Sequence, residues 1–99
     1  MEKRLPIAIV VELTHREASD PDGREMTYTD NVSAHGARVI SSRPWQAGDE
    51  AVVTSLKDEI TIPGKVVYCQ KLPDNRYCIG LNFNVRGVPW TLYKTYAGV

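Results

Sequence analysis

Two cysteines, a single phenylalanine and no net charge are what this 99-residue sequence has least of. Cys69 and Cys78 cannot make the multi-bridge framework of a small secreted domain. Twelve Lys and Arg balance twelve Asp and Glu, which argues against a dedicated DNA or RNA binder, since such a protein carries a basic excess. The longest apolar run, Ile7–Val11, is far short of the roughly 20 residues that cross a bilayer. The opening Met1-Glu2-Lys3-Arg4 and Leu5–Val11 resembles a signal peptide only superficially, because Pro6 interrupts it, Glu12 ends it and no small-residue cleavage site follows. A cytoplasmic protein is expected. Repeats, low-complexity tracts and linkers are also missing, so one domain is expected. No stretch before residue 88 sustains a helical period. The charge is uneven along the chain: residues 1–59 hold seven basic and 11 acidic side chains, and residues 60–99 hold five and one.

Turn signals are abundant. Asp20-Pro21-Asp22-Gly23, Ala47-Gly48-Asp49-Glu50, Pro63-Gly64 and Pro73-Asp74-Asn75 punctuate short stretches rich in β-branched and aromatic residues. Six strands are predicted, over about 7–14, 25–32, 37–42, 51–56, 59–70 and 76–83, with a bend or bulge in the fifth at Pro63-Gly64. In the sixth, Tyr77, Ile79, Leu81 and Phe83 alternate with Cys78, Gly80 and Asn82, as in a half-buried strand. The fold class expected is all-β, a small antiparallel barrel or sandwich. The tail 88–96 is read as a short helix with Pro89 in its first turn, bringing Trp90, Tyr93 and Leu92 over one barrel opening. A hairpin of the fifth and sixth strands with the loop at Leu72–Asn75 would pair Lys71 with Arg76 and set Cys69 opposite Cys78. Two readings follow, a redox pair or two small buried apolar side chains, and free cysteine generally behaves as the latter.

The most informative stretch is Asp30–Val39. On a strand, Asn31 and Ser33 leave on one face and Val32 on the other, into the core. An amide beside a hydroxyl offers donors and acceptors together, and Gly36 allows positive φ or close approach of a flat ligand. Such a shelf can bind the edge of a planar heterocycle. The same residues equally make a capped turn, with Asn and Ser bonded to nearby backbone.

Asn31-x-Ser33-x-x-Gly36 resembles the [Asp/Asn]-x-Ser-x-x-Gly motif of PilZ domains. Around it, Arg4-Leu5-Pro6-Ile7, Gly36-Ala37-Arg38-Val39, Pro44…Ala47-Gly48-Asp49, Gly64-Lys65-Val66-Val67-Tyr68 and Arg76–Phe83 resemble that family's segments in order and spacing. The resemblance covers about residues 4–84, leaving 85–99 as a C-terminal extension. It implies a six-stranded antiparallel barrel that binds the bacterial second messenger cyclic di-GMP. The Asn-x-Ser-x-x-Gly segment would hold a guanine edge through Asn31 and Ser33, with Gly36 allowing close approach. An N-terminal Arg-x-x-x-Arg segment would wrap the ligand, in bidentate geometry that arginine suits and lysine does not. Arg4 matches the second arginine of that segment, whereas the first would fall ahead of Met1, with only Glu2 and Lys3 nearby. Arg38 is an electrostatic aid if it faces outward. The departure at the first arginine motivates an alternative: a degenerate member that binds no nucleotide and engages a protein through the tail 88–99.

Other constellations are weaker. His15 and His35 lack the close spacing of metal-ligand pairs with each other or with either cysteine. Ser33 and His35 sit on no strand-to-helix elbow and have no evident oxyanion donor, so neither a metal nor an enzyme is expected. No cofactor beyond the nucleotide ligand is called for. Asn31-Val32-Ser33 is formally a glycosylation sequon, without meaning absent secretion. Lys65, Lys71, Arg76, Arg86 and Lys94 with Trp90, Tyr93 and Tyr96 could make a nucleic-acid groove. They are read instead as solvated hairpin charges and a hydrophobic plug.

Overall fold

A computed structural model describes residues 4–16, 23–83, 88 and 90 of the chain. Six strands follow in order: β1 (Val10–His15), β2 (Arg24–Ser33), β3 (Gly36–Ser41), β4 (Glu50–Ser55), β5 (Ile60–Lys71) and β6 (Tyr77–Asn82). They close into a barrel in the order β1-β2-β3-β6-β5-β4, with every pairing antiparallel. Closure removes the free edges that an open sheet of this size would expose. Alternation decides the interior. Val11 and Leu13 on β1, Val32 on β2, Ala37 and Val39 on β3, Ala51 and Val53 on β4, Ile62 and Val66 on β5, and Ile79 and Leu81 on β6 form one buried cluster with Phe83 and Trp90. The sixth-strand pattern expected from the sequence therefore holds, with Ile79, Leu81 and Phe83 turned inward.

The first strand begins later than its apolar pattern suggests. Ile7 and Ile9 are buried in register with Val11 and Leu13, yet the ladder starts at Val10. The buried Thr29 side chain explains this, because its hydroxyl donates to the Ile7 carbonyl (2.8 Å) and accepts from the Ile9 amide (2.9 Å). Residues 7–9 are thus clipped to β2 by a side chain as well as by the Thr29 amide on the Ile9 carbonyl (2.9 Å).

The fifth strand bulges elsewhere than at Pro63-Gly64. Val52 faces Pro63 and Ala51 faces Gly64 without a register shift. Pairing with β6 begins only at Lys65, so Pro63, which has no N–H, sits where β5 has one partner and loses no bond on that side. The shift lies between Val66 and Tyr68, which makes Val67 the extra residue. The β5–β6 hairpin is also one residue wider than expected. Lys71 faces Tyr77, the Leu72 amide bonds the Arg76 carbonyl (2.7 Å), and Asn75 takes φ 66°. Cys69 therefore faces Ile79 and Cys78 faces Gln70, not each other. Both thiols are free, Cys78 buried and Cys69 packed against the core. Burial pushes the Cys78 thiol up from its ordinary value.

The expected helix 88–96 lies outside the described residues apart from Val88 and Trp90, as do Leu92 and Tyr93. Trp90 is fully buried and packs on Phe83, ring centroids 6.1 Å apart, so the tail does place an indole in the barrel. Trp45, which carried no expectation, is a second buried indole; it stacks on His15 at 5.1 Å and bonds Ser41 Oγ at 3.2 Å. Among the described residues no helix is long and apolar enough to cross a membrane.

Candidate functional site

Backbone pairing builds the site before any side chain does. Leu5 and Val32 exchange two hydrogen bonds, Leu5 N to Val32 O and Val32 N to Leu5 O, both 3.0 Å. Together with the Thr29 clip, this bridge carries the N-terminal segment alongside the end of β2 and sets Arg4 next to Asn31. The Arg4 guanidinium donates through Nη1 to Asn31 Oδ1 (2.9 Å).

Gly36 is where close approach occurs. It does not take positive φ; Gly48 is the described glycine that does. A Cβ on Gly36 would stand 2.8 Å from the Leu81 carbonyl and 3.0 Å from Arg4 Nη2. The glycine therefore lets β6 pass closely on one side and Arg4 lie across the strand on the other. Ser33, its cross-strand partner, is fully buried, and its hydroxyl donates to the Gly36 carbonyl at 3.3 Å. The capped-turn reading of Ser33 thus describes its geometry here, while Asn31 is half-buried and points to the surface beside Arg4. The turn is tied down from outside as well. Trp90 Nε1 donates to the Ser33 carbonyl (2.9 Å), Val88 N to the Ala34 carbonyl (2.6 Å) and Phe83 N to the His35 carbonyl (2.9 Å). The exposed His35 contributes its backbone to that arrangement.

Arg38 lies on the same outer face, directly across from Asn31. The ladder passes from Thr29↔Val39 to Asn31↔Arg38, leaving Asp30 as the bulged residue of β2. The bulge turns the Asp30 carboxylate onto Arg38, whose Nε donates to it at 2.7 Å. This bond, more than any other influence, holds the guanidinium in its charged form, well above the ordinary arginine value.

The structure thus brings Arg4, Asn31, Ser33, Gly36 and Arg38 into one patch over the β2–β3 hairpin. It also adds residues that the motif did not point to: Thr29, which positions Arg4's segment; Asp30, which fixes Arg38; and Gly80 and Tyr68, next in the outer row. A glycine inside an alternating strand was the available signal for Gly80, because it marks close approach of another group. The patch offers arginine and amide hydrogen-bonding groups on a glycine-flattened sheet. Among the described residues no three His, Cys, Asp or Glu side chains group to hold a metal ion.

Comparison with known proteins is consistent with this arrangement. The sequence pattern of the family described as PilZ domain matches residues 1–88. No curated protein sequence matches significantly. Among solved structures, the chain resembles Bacillus subtilis inhibitor of motility (MotI/DgrA), with a TM-score of 0.62 at 16% identity over 89% of this chain. It spans 44% of that protein's length. It also resembles the PilZ domain of CeSA from a cellulose-synthesizing bacterium, with a TM-score of 0.59 at 18% identity, covering 84% of this chain and 83% of that one. At these identities the likeness shows the fold, a closed six-stranded barrel.

Proposed function

The chain belongs to the PilZ domain family, and on that premise we propose that it is a non-enzymatic, cytoplasmic receptor module for cyclic di-GMP in bacterial second-messenger signalling. The observation that carries the proposal is the placement of Arg4 beside Asn31 and across Gly36. A guanidinium and an amide stand together beside Gly36, the position at which β3 has no side chain to keep a planar base away. In this reading Arg4 leaves Asn31 on binding and takes a phosphate or a guanine edge bidentately. Asn31 then bonds the base directly. Ser33 acts through the Gly36 carbonyl, holding the turn flat, and Arg38 supplies positive charge at the edge of the patch.

Calorimetric titration of cyclic di-GMP into the chain tests this. Saturable binding is expected, with Arg4→Ala and Asn31→Ala each weakening it by about 10- to 100-fold, the worth of one good bidentate contact. Binding unchanged in both variants would refute the site. No binding by the chain, nor by one extended to carry an arginine four residues before Arg4, would favour the second reading, a protein-interaction module without nucleotide. One observation supports that second reading: Val10, Met26 and Tyr28 are exposed, with Tyr28 directly across from Val10, on the outside of β1 and β2. The tail 88–99 serves it less well where it is described, since Val88 and Trp90 are buried.

A further inference from the structure

The uneven charge along the chain takes on a spatial meaning at the outer face of β4, β1 and β2. Val10 lies directly across from Tyr28 on β2. On its other side the last β1–β4 pair is Val11↔Ser55, and one step beyond that pair Val10 is flanked by Leu56. Leu56, Val10 and Tyr28 thus form one outward row, and Met26, two residues before Tyr28, shares their face. Val10, Leu56 and Met26 are each more than half exposed, and none of the four belongs to the core cluster. A contiguous exposed apolar patch marks an interaction site, whereas scattered apolar residues do not.

The two ends of the row carry opposite charge. Beyond Leu56 the turn 56–59 holds Lys57 against Asp58 and Glu59, one negative charge in excess. Asp58 accepts from Ser55 Oγ at 3.0 Å, and Glu59 is exposed. Beyond Tyr28 stands Arg76, which reaches over from the β5–β6 hairpin and donates through Nη1 to the Tyr28 hydroxyl (2.7 Å). Asp74 holds its Nε at 2.6 Å, which leaves the two N–H groups of Nη2 to meet a second carboxylate. With Lys71 on the same hairpin, this side has one positive charge in excess.

Across the face the order is Glu59, Leu56, Val10, Tyr28, Arg76: an acid, three apolar side chains and a base. Such an order is complementary to itself reversed. A twofold axis running along β1 through Val10 sets Val10 on its own copy, Leu56 on Tyr28 of the second copy, and Glu59 against Arg76 of the second copy. Every contact off the axis then occurs twice, as an isologous interface requires. Glu12, the next outward residue of β1, approaches its own copy below that row. Each Glu12 arrives with Arg24 at 3.9 Å as its counter-charge, and the convex barrel surface carries the two apart.

We propose that this face, from the 56–59 turn to Arg76, is the contact surface of a twofold dimer of the chain. A standard interface takes about 800 Å² from each partner. Four apolar side chains supply only part of that, so the dimer belongs to the weak, concentration-dependent end of the range. The charges at its rim set register more than strength. None of these residues belongs to the Arg4–Asn31 patch, so the dimer does not depend on the receptor reading, and the two are tested separately.

Sedimentation equilibrium over a range of concentrations tests the proposal, with thermal melts establishing that each variant folds. The wild-type chain is expected to form a dimer that dissociates on dilution. Arg76→Glu and Glu59→Arg should each weaken it by at least about tenfold, because each sets like charges together at two equivalent places. Mixed in equal amounts, the two variants should recover wild-type association, since both places in the mixed dimer again join opposite charges. Val10→Glu, on the axis, should leave a monomer. A wild-type chain that stays monomeric up to its solubility limit would overturn the proposal. A dimer that none of these variants weakens would overturn it too, by placing the contact on another face. Variants that weaken the dimer singly but do not recover it when mixed would overturn the twofold arrangement and the proposal with it.

Discussion

Gly36 and Gly80 do comparable work in neighbouring strands: each leaves the sheet surface bare so that a charged or aromatic side chain can lie across it. At Gly36 the clearance is needed on two sides, because the Leu81 carbonyl stands 2.8 Å from where a Cβ would be and Arg4 Nη2 stands 3.0 Å away. Arginine can swing out of the way, but a backbone carbonyl within a paired strand cannot move without disturbing the β3–β6 ladder. Gly36→Ala is therefore expected to cost about 1–3 kcal/mol, the range for forcing extra volume into a packed position. Urea denaturation checks it. A loss below about 0.5 kcal/mol, the usual range of neutral surface changes, would mean that β6 gives way and that the glycine serves the ligand alone. The side chains around it divide by exposure. Ser33 is shut in and structural, whereas Arg4 is exposed and bonded to Asn31 across the surface, an exchange of partners that costs little at an exposed position.

Among the elements, the segment before β1 is the one on which the site depends most. It joins the barrel through the Leu5–Val32 bridge and the Thr29 hydroxyl, and those bonds set where Arg4 stands. Thr29→Val keeps the shape and removes the hydroxyl, taking its donor from the Ile7 carbonyl and its acceptor from the Ile9 amide in a buried setting. A cost of about 1–3 kcal/mol is expected for a buried group left without its partner. Hydrogen exchange at the Leu5 and Val32 amides should quicken well beyond that at β3 and β6 amides. Uniform change across the barrel would argue that Thr29 serves global stability and does not position the segment. The same element shows what sequence makes legible. Alternation at Ile7, Ile9, Val11 and Leu13 tells which side chains point inward, but not that a side chain replaces the ladder over residues 7–9. All six strands were recognisable because hydrophobic alternation and turn residues act locally. The bulges at Asp30 and Val67 and the wider hairpin at 72–76 were not, since each shifts register by one residue through cross-strand contacts that no local pattern records. For that reason Asn31, Ser33 and Gly36 could be picked out from their spacing, while Asp30, Gly80 and Tyr68 became visible only once the register was known.

At the scale of the whole molecule, Val88 and Trp90, the described residues beyond Phe83, are buried beside the candidate site. Trp90 packs on Phe83 and donates to the Ser33 carbonyl, joining the core to the turn that carries Gly36. Two contributions can be separated. Trp90→Ala removes the buried ring and is expected to cost about 3–5 kcal/mol, a large share of the stability of so small a barrel. Trp90→Phe keeps much of the apolar volume but takes the indole N–H from the Ser33 carbonyl, and about 1–3 kcal/mol is expected for that loss. Stability then reports on the plug, and nucleotide affinity reports on the turn. If the indole bond steadies the Ser33–Gly36 turn for the ligand, Trp90→Phe should weaken cyclic di-GMP binding at a temperature where the variant remains fully folded. Cyclic di-GMP at 100-fold its Kd should stabilise the wild type by about 2.7 kcal/mol through mass action, and Trp90→Phe at that same concentration by less. Equal ligand-induced stabilisation of both proteins would confine Trp90 to the core, leaving the β2–β3 turn to be shaped by Ser33, the Leu5 bridge and β6.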